Sequence, residues 1–173
     1  MLARAVSASP VLASFCVGAV LIAVAAAAAP VASLANTPNR INDLAGRWAG
    51  AGTVQWKNGL QQPYKCTVTY FLGDNGARVK QTLRCHSPDD VKIEIATLMN
   101  VAGEQITGTW EERLSSMTGT VNGRVTANGY EAHARNEFFN ASFEIEMAGA
   151  CEQQVTLRPS RDIALITANL KKC

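Results

Sequence analysis

The chain has 173 residues, 47% of them hydrophobic and 17% charged, with a formal net charge of +2. That length suggests one folded domain. The near-neutral charge is scattered, with Lys171-Lys172 the tightest cluster. It therefore lacks the basic stripe of a nucleic-acid binder or of a protein drawn to an anionic membrane.

Residues 1–35 differ sharply from the rest. Arg4 is their only charge, and from Val11 to Ala29 the chain is almost wholly apolar or small. A positive start, an apolar stretch and small residues near a cut form a secretory signal. Ser33-Leu34-Ala35 places small residues at the two positions that a cut after Ala35 requires. The competing reading is a retained anchor, because the apolar stretch has about the length of a short spanning helix. Cys16 follows Phe15, where a lipoprotein signal needs a small residue, and no twin-arginine pair is present. The expectation is an exported protein, periplasmic or extracellular. Without Arg4 its charges are 15 basic to 14 acidic.

Residues 36–43 are polar, carry Pro38 and read as a flexible lead-in to a single β domain over 44–173. The first strand runs from Arg47 to Trp56, with Trp48, Gly50, Gly52, Val54 and Trp56 on one face. Lys57-Asn58-Gly59 turns the chain. A hairpin follows around Asn75-Gly76, since Asn-Gly tolerates the positive φ of a two-residue turn. That turn pairs Leu72 with Val79, Tyr70 with Gln81, Val68 with Leu83 and Cys66 with Cys85. One register thus aligns the apolar pairs and the two sulfurs, and a slip of one residue would destroy both. It places the cysteines at a hydrogen-bonded pair, the wider of the two kinds.

Ser87-Pro88-Asp89-Asp90 breaks the chain before Val91, Ile93, Ile95, Thr97, Met99 and Val101 alternate. Ala102-Gly103-Glu104 turns into Gln105–Glu112. Met117–Thr126 is the next strand, and Asn128-Gly129 is a second hairpin signal before Tyr130–Arg135. Phe139–Met147 alternates again, Cys151–Leu157 ends at Pro159, and Ile163–Leu170 reads as a strand or a short helix. Ile106-Thr107-Gly108-Thr109-Trp110 is echoed by Met117-Thr118-Gly119-Thr120-Val121, as two adjacent strands with similar demands would require. Eight to ten strands with short turns predict an all-β, antiparallel up-and-down barrel or strongly curved meander, which removes exposed edges. A two-sheet sandwich is the alternative.

Four cysteines remain beyond residue 35, and an even number in an exported chain suggests two disulfides. Cys66–Cys85 follows from the hairpin register, which leaves Cys151 to Cys173. Each bridge closes a loop of about 20 residues, worth ~3 kcal/mol in the chain-entropy account.

Leu44-Ala45-Gly46-Arg47-Trp48 resembles the Gly-x-Trp opening of the calycins, which include lipocalins, avidins and small periplasmic metalloprotease inhibitors. The resemblance implies an antiparallel barrel with the Trp closing one end. The wider pattern resembles a group of small exported bacterial proteins of no established function. It comprises Cys66 to Phe71, Leu83-Arg84-Cys85, Trp110-Glu111-Glu112-Arg113 and the terminal Cys173.

No catalytic constellation emerges. His86 and His133 lack a Gly-x-Ser-x-Gly nucleophile. Glu111 and Glu112 point apart on a strand, and Glu144 and Glu146 share the face opposite Phe143 and Ile145. Asp89 and Asp90 lack the spaced oxygen ligands of a calcium loop. No metal ligand set and no cofactor motif is present. Trp48, Trp56 and Trp110 could fill a core or line an apolar cavity, and Trp48 and Trp110 are the candidate ligand contacts. The expectation is a non-enzymatic exported module that binds a small apolar ligand or a protein partner. The alternative is an inhibitor or stabiliser of an envelope enzyme such as a protease, acting through residues 36–43 or an exposed turn.

Overall fold

The structure, a computed structural model, describes residues 40–160 and 162–172. The expected signal segment, the start of the lead-in and Cys173 lie outside the described residues. A 3-10 helix (Arg40–Leu44) precedes ten strands: β1 (Gly46–Trp56), β2 (Gln61–Gly73), β3 (Arg78–His86), β4 (Lys92–Ala102), β5 (Gln105–Glu112), β6 (Met117–Thr126), β7 (Gly129–Arg135), β8 (Asn140–Met147), β9 (Glu152–Pro159) and β10 (Ile163–Lys171). Each strand pairs antiparallel with its sequence neighbour, and β10 pairs with β1 to close the barrel. Closure leaves no edge strand with unpaired backbone groups. The ambiguous last segment is therefore a strand, recruited by the free edge of β1 along Ala49–Trp56.

Period-2 alternation decides what points inward. Trp48, Val68, Tyr70, Val79, Met99, Ile106, Val121 and Ile145 are buried. The outer wall carries Lys65, Thr67 and Thr69 on β2 and Lys80, Thr82 and Arg84 on β3. An apolar interior within a polar wall is the inverse of a transmembrane barrel. No described helix is long and apolar enough to cross a membrane.

The β2–β3 register matches the sequence expectation at every pair from Cys66↔Cys85 to Leu72↔Val79. The turn differs. Gly73 pairs with Arg78, so the loop has four residues, with Asp74 and Asn75 at positive φ. Four loop residues rather than two reverse the alternation of wide and narrow pairs. Cys66 and Cys85 consequently sit 4.1 Å apart at Cα, the spacing of a narrow pair, and not at the wide pair expected. Their disulfide faces the interior. Cys151 is also disulfide-bonded.

The second hairpin also differs. Thr126 pairs with Gly129, which makes Ala127 and Asn128 the turn and Gly129 the first residue of β7. A Cβ at Gly129 would meet the Ile145 carbonyl, so close strand approach, not positive φ, requires this glycine. The echoed Gly-Thr pattern has a packing cause too. Trp110 pairs with Gly119 across β5 and β6, and a Cβ at Gly119 would lie 2.5 Å from Trp110 Nε1. The indole lies where that side chain would be.

The lead-in expected at 36–43 needs correction from Arg40 onward. Ile41 and Leu44 are 1% and 0% exposed, and the 3-10 helix that bears them closes one end of the barrel. An apolar residue every third position suits one face of a 3-10 helix, and burial of that face fixes the segment.

Candidate functional site

The two ends of the barrel differ. At one end the connections are residues 74–77, 103–104, 127–128 and 148–151, and the 3-10 helix seals it. Trp48 lies there with no exposed surface. Its Nε1 donates to the Leu44 carbonyl at 2.8 Å, and Lys172 Nζ sits 4.7 Å above the ring. The same ammonium donates to the Asp43 carbonyl at 2.6 Å, so one cation ties the end of β10 to the cap.

Just inside the sealed end lies a polar cluster. The Tyr70 hydroxyl donates to Gln153 Oε1 at 3.3 Å, and the Tyr130 hydroxyl to Gln81 Oε1 at 3.0 Å. The two hydroxyls also interact with each other. Burial pushes both phenols well above their ordinary range, so both stay neutral. Gln153 is 2% exposed, and its Nε2 has no partner.

At the other end the connections are residues 57–60, 87–91, 113–116 and 136–139, with 160 and 162 beside them. Here inward-facing Trp56, Leu83, Ile93, Phe143, Ile163 and Ile166 are only partly buried, as are Leu72, Val101 and Val125 towards the capped end. All but Ile163, which a bulge turns inward, alternate in phase with fully buried residues of the same strands. In a closed barrel such side chains can meet solvent only along the axis. Among the described residues no helix covers this end, and apolar groups line its inner face; it is the mouth of the barrel. The Cys66–Cys85 bridge joins β2 to β3 level with Ile93, and Trp56 Nε1 is buried in the mouth without a partner.

Of the two candidate ligand contacts, Trp48 and Trp110, the structure places only Trp110 near the mouth. Trp110 packs edge-on to Phe139, with ring centroids 5.4 Å apart, and its Nε1 has no partner. Trp56 had the right parity for the mouth in sequence. What the sequence lacked was the end at which the barrel opens.

Glu112 faces inward at the rim, but its carboxylate serves the loop beyond it. It accepts from Ser115 N–H at 2.7 Å, Ser115 Oγ at 2.5 Å and the Glu94 N–H at 3.2 Å. Burial pushes its pKa up, yet these bonds outweigh it and hold the carboxyl below its ordinary value. Glu94 lies outside, where the guanidinium groups of Arg84 and Arg113 lower its pKa. His86 and His133 are exposed on the outer wall. Among the described residues, no three of His, Cys, Asp and Glu gather as a metal site. A shallow groove on the outer wall of β3–β6 holds Lys80, Leu98, Glu111 and Arg113.

The sequence matches no family model and no curated protein. The fold is nevertheless shared with solved structures. Rv2717c from M. tuberculosis superposes with a TM-score of 0.63 at 14% identity, over 82% of this chain and 99% of that one. The S-type phycobiliprotein lyase CPES from Guillardia theta gives 0.54 at 9% identity, over 75% and 86%. A protein of unknown function from Nostoc punctiforme, of the DUF3598 family, gives 0.51 at 15% identity, over 77% and 49%. At these identities the likeness establishes the antiparallel barrel and nothing of its chemistry.

Proposed function

We propose that this chain is an exported, non-enzymatic carrier or sensor that holds a small apolar molecule in the open end of its barrel. The observation that carries the reading is the row of inward-facing, only partly buried apolar side chains at the uncapped end, from Trp56 through Ile93 to Ile166. Apolar surface left facing a concave, accessible space is the ordinary composition of a ligand pocket. The unpartnered indole N–H of Trp56 offers one donor to a ligand that carries an acceptor. Glu112, the only carboxylate at the inner rim among the described residues, is engaged by Ser115, which favours binding over acid–base chemistry. The interior Cys66–Cys85 disulfide suits a protein that works in an oxidising compartment.

The test is titration with the neutral fluorophore N-phenyl-1-naphthylamine. Saturable one-to-one enhancement is expected, and Ile95→Arg, which sets a cation in the mouth, should abolish it. Enhancement that never saturates, or that survives Ile95→Arg in a folded protein, would falsify the reading.

A further inference from the structure

Large apolar side chains exposed on the barrel are unevenly placed. Leu60, Val91, Leu114, Met117 and Phe138 all surround the open end. Four of them stand one to a connection: Leu60 between β1 and β2, Val91 between β3 and β4, Leu114 between β5 and β6, Phe138 between β7 and β8. The connections at the sealed end carry only Asp, Asn, Gly, Ala, Glu and Cys. Leu60 and Phe138 each keep 62% of their surface exposed.

Three of these tips are shaped before any partner arrives. Leu60 N–H donates to Asn58 Oδ1 at 3.0 Å, Val91 N–H to Ser87 Oγ at 3.1 Å and Phe138 N–H to Asn136 Oδ1 at 2.8 Å. The Ser115–Glu112 bonds fix the loop that bears Leu114. Side-chain bonds to the backbone two to four residues away hold a turn in one conformation. The apolar residue at each tip is therefore presented and not merely tolerated.

Rim charge is mixed in sign, with Lys57 and Arg113 set among Asp89, Asp90, Glu137 and Asp162, and part of it is paired. Lys92 pairs with Asp90 at 3.2 Å, and Arg113 and Arg84 both pair with Glu94, at 2.9 and 3.1 Å. A rim of mixed sign complements zwitterionic headgroups and gains little from an anionic surface.

We infer that the open end docks on a neutral lipid surface, with Leu60, Val91, Leu114 and Phe138 seated among the headgroups. Separate single-residue tips suit a fluid surface that closes around each of them. A flat protein partner would meet the four tips and leave gaps between them. Docking sets the apolar mouth against the bilayer, so an apolar molecule could pass between lipid and barrel without crossing water. The inference extends the carrier reading, and vesicle contact can fail while binding of the naphthylamine stands.

The test uses two exposed phenylalanines of nearly equal accessibility. Phe138 is on the rim and Phe71, 59% exposed, is on the outer wall of β2. Each is replaced separately by tryptophan in the whole chain and mixed with vesicles of brominated phosphatidylcholine, which quenches indoles at the lipid boundary. Both faces belong to one molecule, so any tether outside the barrel affects them alike. Phe138→Trp should be quenched and Phe71→Trp should not, without anionic lipid and at high salt. Adding Leu60→Ser and Leu114→Ser should weaken the Phe138→Trp signal by about tenfold per residue. Equal quenching at both positions, none at 138, or quenching that needs anionic lipid or vanishes in salt would overturn the inference.

Discussion

Trp48, Tyr130 and Leu44 at the sealed end have no exposed surface, whereas Leu60 and Phe138 at the open end keep more than half of theirs. Both ends grow from the same alternating strands. The difference comes from what each end adds. The sealed end adds a helix with two apolar residues and a lysine over an indole. The open end adds loops whose polar residues shape the turn and whose apolar residues face out. Changes to the two ends should separate stability from ligand affinity.

The largest expected effect is at the seal. Trp48→Ala removes a fully buried indole, its hydrogen bond to Leu44 and the seat of Lys172, and should cost about 3–5 kcal/mol in denaturant unfolding. Trp56→Ala, at the mouth, should cost much less. Equal losses would erase the contrast between the ends.

Replacing both Cys66 and Cys85 with Ala should cost about 3 kcal/mol by the same measurement. The loss should exceed that of any single substitution in the rim loops.

Gly119→Ala places a methyl against the Arg135 carbonyl and the Trp110 indole, neither of which can move freely within the sheet. A loss of about 1–3 kcal/mol is expected. A circular-dichroism melt should show the lowered midpoint, and near-ultraviolet bands should report a displaced Trp110.

Ile163→Ala, in the mouth, should lower stability by only about 1 kcal/mol and weaken naphthylamine binding several-fold. A large stability loss with unchanged binding would mean that the mouth is core.

The smallest effect concerns Glu112. Its folded pKa lies below the unfolded value of about 4.3, so its bonds stabilise the fold fully above that value. The contribution disappears as pH falls through the folded pKa. Melting midpoints of the parent and of Glu112→Gln should therefore differ at neutral pH and converge in acid. A gap that widens in acid would contradict the geometry of this loop.

Several features were legible in sequence because they are local. The β2–β3 register follows from period-2 alternation and one turn region. It placed Cys66 opposite Cys85 whether the loop has two residues or four, since both loops share a centre. The phase of the hydrogen bonds depended on loop length and was not legible. Gly129 looked like a turn residue in Asn-Gly, and only the neighbouring β8 shows that it is there for space. Trp48 and Trp110 looked alike as inward aromatics, but parity along a strand says nothing about the end to which a residue belongs.

By itself, the sequence determined an antiparallel all-β chain with short turns, the Cys66–Cys85 pairing and the inward face of the strands before β10. Periodicity and turn chemistry act over a few residues, so their record is complete in the chain. Tertiary structure alone decided that β10 joins β1, that one end is sealed and the other open, and that four loops gather their apolar tips around one mouth. Leu60, Val91, Leu114 and Phe138 are far apart in sequence. Closure of the barrel makes them neighbours, and no local pattern encodes a ring.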